Sequence, residues 1–213
     1  MFRNYLKVAI RNLWKNKGYS AINIIGLAVG LATCLIIVLF VWDELSFDRF
    51  HTKADRIYRI NSDIKFGGSE LTLAVSSDPM GATLKKDNPQ IEQFVRIYAS
   101  SGSKLLKKGD GYLDEQKIAY ADSTFFDVFS FPLISGNAKT VLSDPNTAVV
   151  SETAALKYFG TKNAVGKVIE TNSKEVYKVT GVMKDMPANS HFIYDVLLSM
   201  DNVQYTFGNF LSH

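Results

Sequence analysis

The sequence predicts an α+β molecule: an N-terminal amphipathic helix over 1–17, one transmembrane helix over 18–42, and a mixed α+β extracytoplasmic domain over 43–213. Three observations carry this. The stretch 18–42 contains no charged residue. Beyond it, short β-prone stretches are interspersed with capped helical segments without strict βαβ alternation, the pattern of an α+β domain. The only cysteine, Cys34, lies inside the apolar run, so the outer domain has no internal disulfide to draw on and must be stable through packing. At about 170 residues it is long enough to bury a core.

The anchor follows from length and charge. Positions 22–41 are mostly apolar, and at about 1.5 Å rise per residue they reach about 30 Å, the thickness of a bilayer's hydrocarbon core. A cleaved signal peptide has a shorter apolar region and a small-residue cleavage pattern, whereas Val41-Trp42-Asp43-Glu44 follows here. Arg3, Lys7, Arg11, Lys15 and Lys17 precede the run, and Asp43, Glu44 and Asp48 follow it. The positive-inside rule therefore places the N-terminus in the cytoplasm and the domain outside. Arg3, Lys7, Arg11 and Lys15 recur every four residues, with Phe2, Leu6, Ala9, Ile10 and Leu13 on another arc, which predicts an interfacial helix on the cytoplasmic leaflet of the lipid bilayer. Within the span, Gly26 and Gly30 form a small-xxx-small pair that lets a neighbouring helix approach closely, and Asn23 and Thr33 are candidate hydrogen-bonding positions.

The formal net charge of +3 belongs to the anchor alone. With its five cations set aside, 19 Lys and Arg face 21 Asp and Glu, so the outer domain is slightly acidic. No nucleic-acid partner is expected, because no basic excess remains outside the tail.

In the outer domain, 56–61 reads as a first strand. Ser77-Asp78-Pro79 then starts a helix that ends at Asn88-Pro89. A strand over 91–98 follows, and a hairpin of 104–108 with 111–120 turns at Gly109-Asp110-Gly111. The run from Asp122 to Phe129 is an aromatic turn of core type, leading into Phe131-Pro132-Leu133. Positions 147–150 read as a buried strand, and Ser151 as the N-cap of a helix that reaches Phe159 and stops at Gly160. Paired strands over 165–170 and 175–182, and a last strand over 192–198, complete the reading.

The sequence offers no catalytic, metal or cofactor site. The segment 160–168 approaches a phosphate-binding loop, but five residues separate its glycines where four are required, and Val168 stands where a Ser or Thr should hold magnesium. His51, His191 and His213 lack metal-ligand spacing. A Ser151, Asp185, His191 triad can be written down, yet no nucleophile-elbow pattern surrounds the serine.

One further pattern runs the length of the chain. It comprises Phe2-Arg3-Asn4-Tyr5-Leu6-Lys7, Ala9-Ile10-Arg11-Asn12-Leu13, Lys15-Asn16-Lys17-Gly18 and Ile22-Asn23-Ile24-Ile25-Gly26-Leu27-Ala28-Val29-Gly30. Further on come Asp43-Glu44-Leu45-Ser46-Phe47-Asp48, Asp55-Arg56-Ile57-Tyr58-Arg59-Ile60, Tyr120-Ala121-Asp122 with Phe125-Phe126, Ala154 to Gly160, Val165-Gly166-Lys167, and Val179-Thr180-Gly181-Val182 with Asp185 and Pro187. Together they resemble the N-terminal part of a MacB/FtsX-type ABC transporter permease. The resemblance implies a first transmembrane helix leading into a periplasmic core domain, in the bacterial inner (cytoplasmic) membrane. It implies a noncatalytic permease subunit with a cytoplasmic ABC ATPase subunit and a permease dimer partner, relaying ATP-driven motion to an envelope protein partner or substrate. Three more spans follow the domain in that family, and no second apolar run occurs before His213, so the chain is expected to be part of a longer permease with the domain incomplete at its C-terminal end. The competing readings are a single-pass receptor or sensor with an outer binding domain and a membrane-tethered hydrolase. The first needs a cytoplasmic signalling module, for which the segment before Gly18 leaves no room, and the second a nucleophile and base that the sequence does not cluster.

Overall fold

The computed structural model describes residues 2–99 and 104–203. Helix α1 (Phe2–Lys15) and helix α2 (Lys17–Ser46) meet at Asn16, whose non-helical backbone separates them. Helix α2 is long and apolar enough to cross a membrane and buries none of its residues within the chain. It extends beyond the uncharged run: Asp43, Glu44 and Ser46 continue the helix, and Ser46 Oγ donates to the Asp43 carbonyl at 2.7 Å.

The chain divides into two units, Met1–Phe47 and Asp48–His213. The second begins with a 3₁₀ turn (Ala54–Arg56) and a hairpin of β1 (Ser62–Phe66) and β2 (Ser69–Leu73). Helix α3 (Met80–Asp87), β3 (Ile97–Ala99), and a second hairpin of β4 (Lys104–Lys108) and β5 (Gly111–Glu115) follow. Next come β6 (Ile118–Ala121), the single-turn α4 (Phe125–Val128), β7 (Leu133–Ser135), β8 (Thr147–Ser151) and α5 (Glu152–Phe159). Strands β9 (Val168–Glu170), β10 (Val176–Met183) and β11 (Val196–Ser199) complete the described elements.

The main sheet runs in the order β3-β6-β11-β8-β10-β7, with β9 also paired to β10. It is mixed: β8 with β10 and β6 with β11 are parallel, and its other pairings are antiparallel. Because successive side chains on a strand face opposite ways, the buried central strands feed two cores. Ala148, Val150, Val196, Leu198, Ile118 and Tyr120 join one, with Ala154 and Ala155 of α5. Val149, Leu197, Ala119 and Ala121 join the other, with Phe125 and Phe131 and the partly buried Phe129 and Phe192. The aromatic run is thus core, as expected from its composition, and Phe125 is fully buried.

A bulge in β10 between Val179 and Gly181 shifts the register against β8. It keeps Val182 in the same core as Val179. Gly181 is required there: a Cβ would lie 2.9 Å from Val141 Cγ1 and 3.3 Å from the Ser135 carbonyl.

Several expected strands are shorter than the sequence suggested, each for a long-range reason. The strand expected over 56–61 is absent: Arg56 ends a 3₁₀ turn and bonds Glu92 at 2.7 Å, and among the described residues 57–61 have no strand partner. In 91–98 only the end pairs, because the Arg96 amide donates to Asp122 Oδ2 at 2.7 Å and the Asp122 amide to the Arg96 carbonyl at 3.2 Å. The expected limb 111–120 is two strands: Glu115 turns inward, accepting from the Lys117 amide at 3.2 Å, and β6 restarts in the main sheet. In 165–170 the Gly166 amide bonds the Val179 carbonyl, and pairing begins at Val168. Residues 192–194 pack in the aromatic core, and β11 starts at Val196. The β1–β2 hairpin, turning through Gly67-Gly68, was absent from the sequence reading.

Candidate functional site

Arg3, Lys7, Arg11 and Lys15 all fall in α1, and Lys7, Arg11 and Lys15 are exposed. So are the apolar Leu6, Ile10 and Leu13 on the same helix. Gly26 and Gly30 fall one turn apart on α2, and a Cβ built on either meets nothing within 4 Å. The Thr33 hydroxyl donates to the Val29 carbonyl at 2.9 Å, so it serves its own helix.

The residues weighed for catalysis are occupied structurally. Ser151 caps α5, its Oγ accepting from the Ala154 amide at 3.0 Å and donating to Asp195 Oδ1 at 2.8 Å. Asp185 accepts from the Thr153 amide at 3.0 Å and from its hydroxyl at 2.7 Å. Burial raises the pKa of Asp185, but these hydrogen bonds outweigh it and hold the carboxyl below its ordinary range. His191 pairs with Asp48, Nδ1 to Oδ2 at 2.7 Å. Ser151 also hydrogen-bonds the Asp185 carboxylate, so two of the three meet, while His191 is paired with Asp48. In 160–168, Gly160 ends α5 in the left-handed conformation, Lys162 bonds Glu152 at 2.7 Å, and Lys167 lies over the Phe159 ring. The two lysines that a phosphate would need have other partners. His213 lies outside the described residues. Among the described residues, no three His, Cys, Asp or Glu side chains converge on a metal-sized site.

Polar side chains instead join elements into a framework, which the sequence reading missed. Arg96 grips Asp122 through Nε and Nη2, at 3.0 and 2.7 Å, and reaches Asp78 with Nη1 at 2.6 Å. This ties the start of α3 to the end of β6. The Glu115 carboxylate, almost wholly buried, accepts from Lys157 at 2.7 Å and Tyr158 at 2.9 Å, joining α5 to the second hairpin. Burial opposes its charge, but these donors prevail and its pKa lies below the ordinary carboxylate range. The same burial and the adjacent carboxylate push the Tyr158 hydroxyl well up.

The first residues of the outer domain carry a third such assembly. Asp48 adopts a left-handed backbone, φ 56°, which Asp tolerates better than most residues. Its amide donates to the Asn189 carbonyl at 3.0 Å, and its Oδ1 accepts from the His191 amide at 3.1 Å. His51 is 4% exposed, its ring centroid 5.2 Å from that of Phe129 and 5.1 Å from that of Phe131. Its Nδ1 accepts from the Ser130 amide at 3.1 Å, and Thr52 bonds the Ser130 hydroxyl. His51 Nε2 and Ser190 Oγ are buried without a hydrogen-bond partner. No spacing rule marks this assembly, because its partners are about 80 and 140 residues apart in sequence.

Comparison with known proteins places this architecture. A sequence model of the MacB-like periplasmic core domain matches residues 20–212. No curated protein sequence matches. Among solved structures, a domain of a permease protein from Porphyromonas gingivalis is similar, with a TM-score of 0.54 and 26% identity over 62% of this chain and 56% of that one. The periplasmic region of MacB from Actinobacillus actinomycetemcomitans aligns with a TM-score of 0.47 and 21% identity, over 60% and 56% of the two chains. The extracellular domain of the noncanonical ABC-type transporter YknZ from Gram-positive bacteria aligns at 0.38 and 20%, over 53% and 58%. The chain spans a little over half the length of each of these structures.

Proposed function

Because the chain belongs to the family of the MacB-like periplasmic core domain, we propose that it is a noncatalytic part of an ABC transporter permease, relaying motion from a cytoplasmic ATPase to its periplasmic domain. One observation carries this reading furthest: the family match begins at residue 20, inside α2, and continues to residue 212. The apolar helix and the outer domain therefore form one inherited unit. An anchor alone could be of any sequence that is long and apolar enough.

The charge pattern supports an orientation in the inner membrane with α1 in the cytoplasm and the domain in the periplasm. Lys7, Arg11 and Lys15, with Arg3 in the same stripe, suit the anionic leaflet surface, while the apolar arc of α1 enters the interface. Gly26 and Gly30 would seat another span, from the same permease or a dimer partner. The ATPase supplies the chemical energy, and this chain contributes geometry. An envelope protein or exported substrate is the recipient of the motion.

The test is to purify the complete permease from membranes with an ATPase encoded beside its gene, and to record ATP-driven movement of the outer domain. A fluorophore at Asp110, in the exposed turn of the second hairpin, would report its distance from acceptor-labelled lipid headgroups, in a Cys34→Ala background. Copurification and an ATP-dependent change in transfer are expected. Absence of both would refute the relay.

A further inference from the structure

Helix α2 ends at Ser46, and Asp48 is already hydrogen-bonded into the outer domain, so the covalent connection passes through Phe47 alone. An extended residue spans at most about 3.6 Å, so this connection has almost no slack to absorb a displacement. A large displacement of Ser46 therefore acts first on Asp48 and the residues that follow it.

Those residues are held in two ways. Asp48 is tied to the 189–191 loop by backbone and side chain together: its amide to Asn189, its carboxylate to the His191 amide and ring. That loop leads within a few residues to β11, which lies between β6 and β8 in the main sheet. His51 and Thr52 are tied to Ser130 between Phe129 and Phe131. Phe131 stacks on Phe125 with ring centroids 5.7 Å apart and meets Phe192 at 5.8 Å. One attachment thus reaches a central strand and the other reaches the aromatic core. The left-handed backbone at Asp48 is costly for a residue with a Cβ and persists because these contacts over-determine it.

We propose that Asp48 and His51 are positioning residues that latch the exit of α2 to the outer domain's core, so that displacement of the helix is delivered to β11 and the aromatic cluster together. This rests on the relay reading above. The latch does not take part in ATP hydrolysis; it determines whether hydrolysis moves the domain.

The experiment uses the complete permease with its ATPase in nanodiscs and the Asp110 fluorophore. Asp48→Ala removes the carboxylate and places alanine at a left-handed position, whereas Asp48→Asn keeps an acceptor and a residue that tolerates that backbone. Inserting Gly-Ser-Gly-Ser between Phe47 and Asp48 supplies slack without touching the latch. Asp48→Ala is expected to speed hydrogen exchange at the amides of His51, Thr52, Ser130 and His191 together, about tenfold, with β8 and β11 remaining protected. It should abolish most of the ATP-driven movement while leaving ATP turnover in place. Asp48→Asn should restore much of the movement, and the insertion should abolish it with the latch amides still protected. His191→Gln weakens the same pair from the other side and keeps the test open should Asp48→Ala fail to fold. Full movement in Asp48→Ala and His191→Gln, with loss in the insertion, would overturn the latch and leave the relay standing. No ATP-driven movement in the unaltered chain would overturn the relay and the latch with it.

Discussion

The Ser130 amide donates to His51 Nδ1, so the neutral ring carries its proton on Nε2, where it has no hydrogen-bond acceptor. Burial penalises a second proton and lowers the His51 pKa below 6.5, although Asp48 pulls in the other direction. The unfolded chain therefore binds this proton more readily than the folded one. Stability contributed by neutral His51 is fully present above pH 6.5 and is lost as the pH falls through the depressed native value. Urea unfolding of the outer domain should show a midpoint that falls as the pH drops from 6.5 towards the depressed native value and levels off below it, and His51→Asn should flatten that part of the profile. Glu115 titrates in a lower window: its native pKa lies below 4.5, so its stabilisation is present above that pH and lost under stronger acid. The sequence contained both residues but gave neither role. His51 was distinguishable only as a histidine without metal-ligand spacing, because its aromatic surroundings include residues from about 80 positions away.

Elements governed by local chemistry were legible in the sequence. Ser151 and Gly160 bound α5 as predicted, because a hydroxyl that accepts an amide and a residue free to turn left-handed are both local requirements. Buried β8 was legible from its composition, and the β4–β5 hairpin from its glycine turn. The ends of β3, β5, β9 and β11 were not, since pairing there gives way to contacts with distant residues such as Asp122, Lys117 and Val179. This contrast makes two element-level predictions. Ser151→Ala should destabilise the outer domain by about 1–2 kcal/mol through loss of the cap, and slightly more if the freed Asp195 carboxylate finds no new donor. Gly181→Ala should cost about 1–3 kcal/mol, because the added methyl meets Val141 across a packed bulge. Chemical denaturation of each variant checks both, and a neutral Gly181→Ala would mean that Val141 has room to move.

At the scale of the whole molecule, the helix glycines give opposite expectations for the chain and for its assembly. Outside the helix's own backbone, a Cβ at Gly26 or Gly30 meets nothing within 4 Å among the described residues, so a side chain at either position starts into open space. Leucine is also the better helix former, by somewhat less than the roughly 0.8–1 kcal/mol that separates glycine from alanine in water. On the chain alone, Gly26→Leu/Gly30→Leu should therefore leave the outer domain's stability unchanged and α2 intact. If the two glycines seat a second span, the same substitutions put two large side chains where two backbones should approach, and van der Waals packing, the main source of helix association in lipid, is lost. The complete permease should then assemble less well, measured as reduced copurification of differently tagged copies and of the ATPase, while circular dichroism and the unfolding midpoint of the outer domain stay as they were. A defect in assembly without a defect in folding has no explanation within one chain and assigns the glycines to an interface. Equal assembly of the substituted and unaltered permeases would refute that role and leave α2 as an anchor whose glycines face lipid.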